Sequence, residues 1–348
     1  MNGVVLTGSS GALGRRVVAR LVASHAFPTV TALDRVPSPD ASTMAGVDEH
    51  LVDLLAEDLG PRLRGAGTLI HLASVFAPEQ AGDPSGLDVE LTRRVLGAAA
   101  DAGVTQLVLV SSATVYGAHP DNPIPLTEDA PLRPNPGFRF AEDKVEIERL
   151  AERHRETHPG TEVAVLRPTA TLAEDARSWV SAALLSVAGV RVGESDPPVQ
   201  FLHFDDLAAA TALVAEQRCD GAFNVAPDGW IPPDAMRALA GTPRPRLPVP
   251  VVGRLVSARW RLGLSTTPPE FLPWTMHPWV VANDRLRALG WSPSFTNEEA
   301  YVAGTSPGPL ETLSPKRRQE LAIGVAAAAV AASAAGGFAL VRRLRRRG

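Results

Sequence analysis

Gly8, Gly11 and Gly14 stand at three-residue spacing in VVLTGSSGALGRRVV, between an apolar run and a stretch with helical periodicity. The chemistry such a pattern serves is close contact with an anion. Glycine lets the backbone turn tightly, approach a pyrophosphate and pack helix on strand, while the helix N-terminus faces the negative charge. Ser10 and Leu13 belong to the same loop. Twenty residues beyond Gly14, at the end of TALD, Asp34 can accept hydrogen bonds from the hydroxyls of an adenosine ribose. A carboxylate there repels a 2′-phosphate, so NAD is expected, and the neighbouring Arg35 keeps NADP as the less favoured choice. Asp53, closing the third apolar run, reads either as an adenine contact or as a helix N-cap. A glycine turn and a surface aspartate are ordinary features singly; strand, turn, helix and acid in register favour a dinucleotide site.

The elements that must position these residues alternate regularly. Short apolar or β-branched runs (GVVLTG, TVTALD, GTLIHLA, QLVLVSS, EVAVLRP) are separated by helical stretches at Ala12 to Ser24, Leu87 to Ala102 and Glu142 to Arg155. Continuous apolar strands between amphipathic helices predict an α/β fold, a doubly wound parallel sheet covered on both faces. After Pro168 the pattern loosens. HFDDLAAATALVAEQ predicts a helix capped by Asp205 or Asp206, a proline-rich section holds a short helix near Val251 to Leu262, and NDRLRALGWSP predicts a small helix ended by Gly290. The 348 residues suffice for one large α/β domain or two coupled lobes. A net charge of −4 gives no case for nucleic acid. The single cysteine, Cys219, excludes an internal disulfide framework and a thiolate metal cluster.

The loop TGSSGALG, then HLAS (His71 to Ser74), SSATVYG (Ser111 to Gly117), LRPTA, FLHFDDLA and LRALGWSP occur in that order. Together they resemble the extended short-chain dehydrogenase/reductases, the NAD-dependent epimerase/dehydratase family, from about Asn2 to about Val302. The resemblance implies a Rossmann-type sheet of about seven parallel strands, a small C-terminal substrate lobe and dimerisation through paired helices. It implies nucleotide-sugars as common substrates, with sterols and other alcohols or ketones in some branches. Residue by residue, it implies that Gly8, Gly11 and Gly14 hold the pyrophosphate and Asp34 the ribose. Leu72, Ala73 and Ser74 would line the cofactor cleft, Ser112 or Thr114 would bond the reacting oxygen, and Lys144 the nicotinamide ribose.

One position departs. The family's acid/base is a tyrosine four residues before the lysine, on the same helix face, with a phenol made more acidic by the nearby ammonium. Here that position is Phe140. The remaining tyrosines, Tyr116 and Tyr301, are not obvious substitutes. Losing a general acid costs roughly a hundred- to ten-thousand-fold in rate. Lys144, one of two lysines in the chain, argues for a retained ribose contact, against the plainer reading of a solvated helix lysine. Two functions therefore stand. One is an NAD-dependent oxidoreductase or epimerase on a nucleotide-sugar or lipid-like alcohol, with Ser112 or Thr114 and an atypical proton donor such as His119 or a relayed water. The other is a catalytically inactive NAD-binding scaffold or regulator of a membrane complex.

The late chain adds two features. Arg167, Arg254, Arg259 and Arg261 have the chemistry to pair with phosphates, although most such arginines are solvated. Trp260, Trp274 and Trp279, with Val251, Val252, Leu255 and Leu262, read either as lobe core or as a mouth or bilayer contact. The expected organisation is an NAD-binding core over 1–168, remaining core elements and substrate lobe over 169–303, a linker over 304–320, a hydrophobic helix over 321–341 and a basic tail over 342–348. Leu321 to Val341 is 21 residues without a charge. As a helix it spans about 31 Å, so a single C-terminal anchor at the cytoplasmic face of a membrane is expected, with docking on a membrane-protein partner as the alternative. The N-terminal apolar run is too short for a secretory leader.

Overall fold

The computed structural model describes residues 3–39, 46–74, 86–241 and 244–305. The expected hydrophobic helix over 321–341, its basic tail and all but the first residues of the linker lie outside this set. Among the described residues no helix is long and apolar enough to cross a membrane.

Seven parallel strands form the main sheet: β1 (Gly3–Thr7), β2 (Val30–Asp34), β3 (Val47–Leu51), β4 (Ala66–His71), β5 (Gln106–Val110), β6 (Glu162–Pro168) and a late strand, Gly221–Val225, numbered β11 below. Their spatial order is β3-β2-β1-β4-β5-β6-β11, so the order in which strands are added reverses beside β1. Every residue of β4 is buried, as a central strand covered on both faces requires. One face carries α1 (Ala12–Ser24), whose Val17, Val18 and Leu21 pack with Leu207 and Val214 of a later helix. The other carries α2 (Gly60–Leu63), α3 (Leu87–Asp101) and α4 (Arg139–Thr157), which contribute Leu63, Leu91, Val95 and Ala151. The expected helices are found with ends shifted by a few residues, as fraying ends commonly are.

After β6 the chain builds the lobe. It contains β7 (Ala170–Ala173), β8 (Ala176–Arg177), α5 (Trp179–Ser186), β9 (Arg191–Val192), β10 (Phe201–His203) and α6 (Phe204–Glu216). After β11 come α7 (Pro233–Ala240), β12 (Arg246–Leu247), α8 (Val249–Arg261), a 3-10 segment at Pro269–Thr275, α9 (Asp284–Ala288) and α10 (Asn297–Gly304). Small sheets β10-β7-β8 and β12-β9 lie beside the large one. Met1–Gly304 is one compact unit. The lobe has its own core, in which Phe138, Phe271 and Trp274 pack as a ring cluster with centroids 4.4 to 5.7 Å apart.

One expectation, the cap of α6, needs correction. The cap of α6 is His203, whose ring nitrogen accepts from the Asp205 amide at 3.2 Å. Asp206 instead turns back to accept the Ser294 and Phe295 amides at 2.8 and 3.1 Å, tying α6 to the last turns of the lobe. Of the two places expected for Trp274 and Trp279, the structure shows the lobe core.

Candidate functional site

The register of β1 on β4 sets Thr7 opposite His71, so the ends of both strands open together at the sheet's reversal point. Directly after β1 the backbone enters the left-handed region at Gly8, φ 76°. A Cβ there would stand 2.5 Å from the Ala73 amide nitrogen, and one on Gly14 only 2.0 Å from the Gly8 carbonyl oxygen. The loop after β1 thus lies against the loop after β4, and α1 against its own approach, with no room for any side chain. Gly11 caps α1 by position only: no side chain bonds the first turn and no acid stands in it. Gly8 and Gly11 line a cavity, and the Ser9 hydroxyl is buried without a protein partner among the described residues. An uncapped, positive helix end beside a cavity fits a dinucleotide pyrophosphate.

At the far side, Asp34 is held by the Ser10 amide on Oδ2 at 2.9 Å and the Arg35 amide on Oδ1 at 2.7 Å. It faces a cavity of about 260 Å³ walled also by Arg35, Asp53, Leu54 and Leu91, of a kind to take an adenosine. Asp53 caps no helix: its Oδ1 accepts the Leu55 amide at 2.9 Å within a turn, and the residue lines the cavity. Leu72, Ala73 and Ser74 are shared with a second cavity of about 360 Å³ at the end of β5, which Leu13 also lines.

That second cavity is where the chemistry gathers. Lys144 of α4 is buried and donates to Asp88 Oδ2 of α3 at 2.9 Å, and its ammonium lies 5.7 Å from the centre of the Phe140 ring. Beneath them is His71. The Thr92 hydroxyl donates to the Asp88 carbonyl at 2.9 Å, so at 3.3 Å it accepts from His71 Nε2, and Nδ1 accepts from Thr7 Oγ1 at 2.7 Å. Neutral imidazole therefore satisfies both neighbours. Burial, with Lys144 adding to it against Asp88, holds the His71 pKa down to about 4 from an ordinary 6.5. Because the unfolded chain takes up this proton first, stability should fall as pH drops from 6.5 to 4, by about 3 kcal/mol. Urea unfolding across that window checks this: His71→Asn should flatten the slope, and an unchanged slope would remove His71 as its source.

Ser112 lies in the cavity wall; Thr114 does not. Fully buried behind it, Thr114 donates from both its amide (3.2 Å) and its hydroxyl (3.0 Å) to Ser112 Oγ. With its oxygen accepting twice, Ser112 keeps its proton for a group in the cavity, so Thr114 positions Ser112. Thr169, just past β6, also lines the space with a hydroxyl that is buried and has no protein partner among the described residues. The opposite wall is aromatic. Phe140 stacks on Trp179 at 5.3 Å and 30°, and Val180, Phe204 and Leu207 continue the surface.

The other polar residues named from the sequence are elsewhere. Arg167 is buried in a bidentate pair with Glu148, closest approach 2.6 Å, and donates to the Tyr116 hydroxyl at 2.7 Å, so it does not wait for a phosphate. Burial opposes its charge, but Glu148 and Tyr116 outweigh burial and raise its pKa. Tyr116 in turn donates to Asn224 at 2.7 Å, and burial, against the pull of Arg167, pushes its pKa up to about 12. That phenol is a structural donor, and it lines neither cavity. Tyr301 packs on Phe201 in the lobe core, and His119 is tied to the Arg133 carbonyl at 2.7 Å. Arg254, Arg259 and Arg261 line neither cavity.

Asp88 and Thr169 are site residues the sequence reading missed. An acid in the first turn of α3 looks like a helix-dipole residue; only the packing of α3 on α4 reveals its lysine partner.

A model of the NAD dependent epimerase/dehydratase family matches residues 4–226 of the chain. An uncharacterised protein of Mycobacterium tuberculosis is 27% identical over 311 residues, covering 86% of this chain and 82% of that protein. A 3-diazoavenalumate denitrifying reductase of Streptomyces is 28% identical over 316 residues, covering 84% of this chain and 96% of the reductase. Among solved structures, a UDP-glucose 4-epimerase of Thermus thermophilus in complex with NAD superposes with a TM-score of 0.64 at 19% identity, over 86% of this chain and 97% of the epimerase.

Proposed function

Because the chain belongs to the NAD dependent epimerase/dehydratase family, we propose that it is an NAD-linked oxidoreductase acting on a small, planar, electron-poor acceptor rather than on a nucleotide-sugar. When bound, NAD carries the hydride. The cradle of Gly8, Gly11 and Gly14 holds its pyrophosphate, Asp34 its adenosine ribose, and Lys144 a ribose hydroxyl beside the second cavity. The observation that carries the reading is the wall of that cavity, where Phe140 stacked on Trp179 presents an aromatic surface.

Such a wall restricts the chemistry. A ketone accepting hydride becomes an alkoxide and needs a proton at once. An acceptor that already carries positive charge, such as an aryl diazonium or iminium, is neutralised by the two electrons of the hydride and needs none. Aromatic faces also favour a cationic or flat apolar ligand. Among the described residues no arginine lines the cavity, whereas a nucleotide-sugar brings two phosphates. The Streptomyces reductase, named for a diazo compound and matched over most of its length, supports the same direction. Ser112 and Thr169 would fix the polar end of the acceptor.

A nucleotide-sugar is the second reading, favoured by a small cavity of about 80 Å³ in the lobe that Arg191, Arg237 and Arg244 line. Asp196, 2.8 Å from Arg237 and 3.6 Å from Arg191, already neutralises part of that charge. Oxidation of NADH by the purified chain with an aryl iminium, an aryl diazonium or an aryl ketone, set beside chromatographic conversion of UDP-glucose in the presence of NAD, separates the readings. Turnover is expected with the two cations and should drop about tenfold in Thr169→Val, which loses one hydrogen bond without changing shape. Conversion of UDP-glucose alone would reject the proposal, and NAD binding with no turnover on any of them would favour a scaffold.

A further inference from the structure

Ten large apolar side chains are exposed among the described residues, and half of them, Val249, Val251, Leu255, Leu262 and Leu264, belong to one short segment, α8 and the turn after it. The helix is anchored by Val252 and Val256, which are buried against Val192 and Leu272. Turned away from that anchor, Val251, Leu255, Ala258 and Leu262 recur at spacings of four, three and four, a continuous stripe along one helix face. Leu255 is 52% exposed and Leu262 71%. Arg254 and Arg261 flank the stripe on one side and Arg259 on the other, all exposed. The helix contains no acid, and among the described residues none of these three arginines forms an ion pair.

We propose that α8 is a peripheral docking helix for an anionic lipid bilayer, lying in the interface with Val251, Leu255 and Leu262 among the acyl chains and the arginines at the headgroups. An apolar stripe edged by cations is the pattern that gains both from burial and from anionic charge. Charge decides between occupants. A second copy would bring arginines against arginines. Residues 306–348 of the same chain hold eight basic residues against Glu311 and Glu320, so they too are repelled by this face and drawn to the same anionic surface. The inference concerns a surface outside both cavities and does not depend on the reaction proposed above.

A local probe tests it in the full chain. Leu255→Cys carrying an environment-sensitive fluorophore is titrated with phosphatidylcholine vesicles, with and without phosphatidylglycerol; Val302→Cys, 59% exposed on α10, is the control label, and the native Cys219 is buried. The label at 255 should shift to shorter wavelength with the anionic vesicles, salt should reverse the shift, and the label at 302 should stay unchanged. Arg254→Ala, Arg259→Ala and Arg261→Ala together should weaken that response roughly a hundredfold. Three results would overturn the assignment. The first is no shift at 255 while the chain sediments with the vesicles. The second is an equal response to neutral vesicles, and the third is a shift without lipid that grows with protein concentration, which would mean a second copy covers the face.

Discussion

Phe140→Tyr combined with Asp88→Asn should let the protein reduce an aryl ketone at least a hundredfold faster than the native chain. A tyrosine at 140 would place its hydroxyl in the cavity one turn before Lys144, on the wall that faces Ser112. A general acid in such a place contributes roughly a hundred- to ten-thousand-fold. The single substitution should deliver only about tenfold of this. A phenol needs a nearby uncompensated positive charge to trade protons near neutrality, and here the Asp88 carboxylate, 2.9 Å from the Lys144 ammonium, offsets that charge. Exchanging Asp88 for its neutral isostere releases it. Ketone-dependent NADH oxidation as a function of pH is the readout, with the alkaline limb of the double variant falling at lower pH than that of the single, because the released ammonium lowers the phenol pKa. Equal activity in both variants would show that Asp88 does not set the site's charge.

Lys144→Met is the second large effect, and it falls on two properties. Both members of the ion pair are buried, with 9% and 4% of their side chains exposed. Removing the ammonium that balances Asp88 should cost about 3 to 5 kcal/mol of stability, because a carboxylate left in low dielectric loses its compensation. It should also weaken NAD binding, because the proposed role of the lysine is to hold the nicotinamide ribose. These two losses separate in the double variant Lys144→Met with Asp88→Leu. Apolar replacement of the whole pair should restore most of the stability, while NAD affinity stays low. Urea unfolding and calorimetric NAD titration measure them. A double variant that recovers both would mean that Lys144 serves the fold alone.

The parts of this protein legible in its sequence are those whose cause is local. Gly8 and Gly14 announce a place where two backbones touch, and the contacts a Cβ would make there are 2.5 and 2.0 Å. The alternation of apolar runs and helices yields the parallel sheet, because a strand covered on both faces has to be apolar throughout. What the sequence hid depends on which elements meet. Asp88 acquires its meaning from α4, fifty-six positions away. Arg167 looked available until Glu148 closed on it, and Asp206 looked like a cap until the backbone of Ser294 and Phe295 came to it. The apolar residues of the lobe divided in the same way. Trp274 and Trp279 went inside with Val252 and Val256, while Val251, Leu255 and Leu262 stayed outside in a stripe that no helical periodicity could assign to core or surface beforehand.

The central claim is a dinucleotide cleft that ends on an aromatic wall, and calorimetric titration of the full chain with NADH and with NADPH tests it most directly. Saturable one-to-one binding of NADH is predicted, with NADPH at least about tenfold weaker because its extra phosphate would meet the Asp34 carboxylate. Heats of dilution alone for both nucleotides would contradict the account from its first glycine onward.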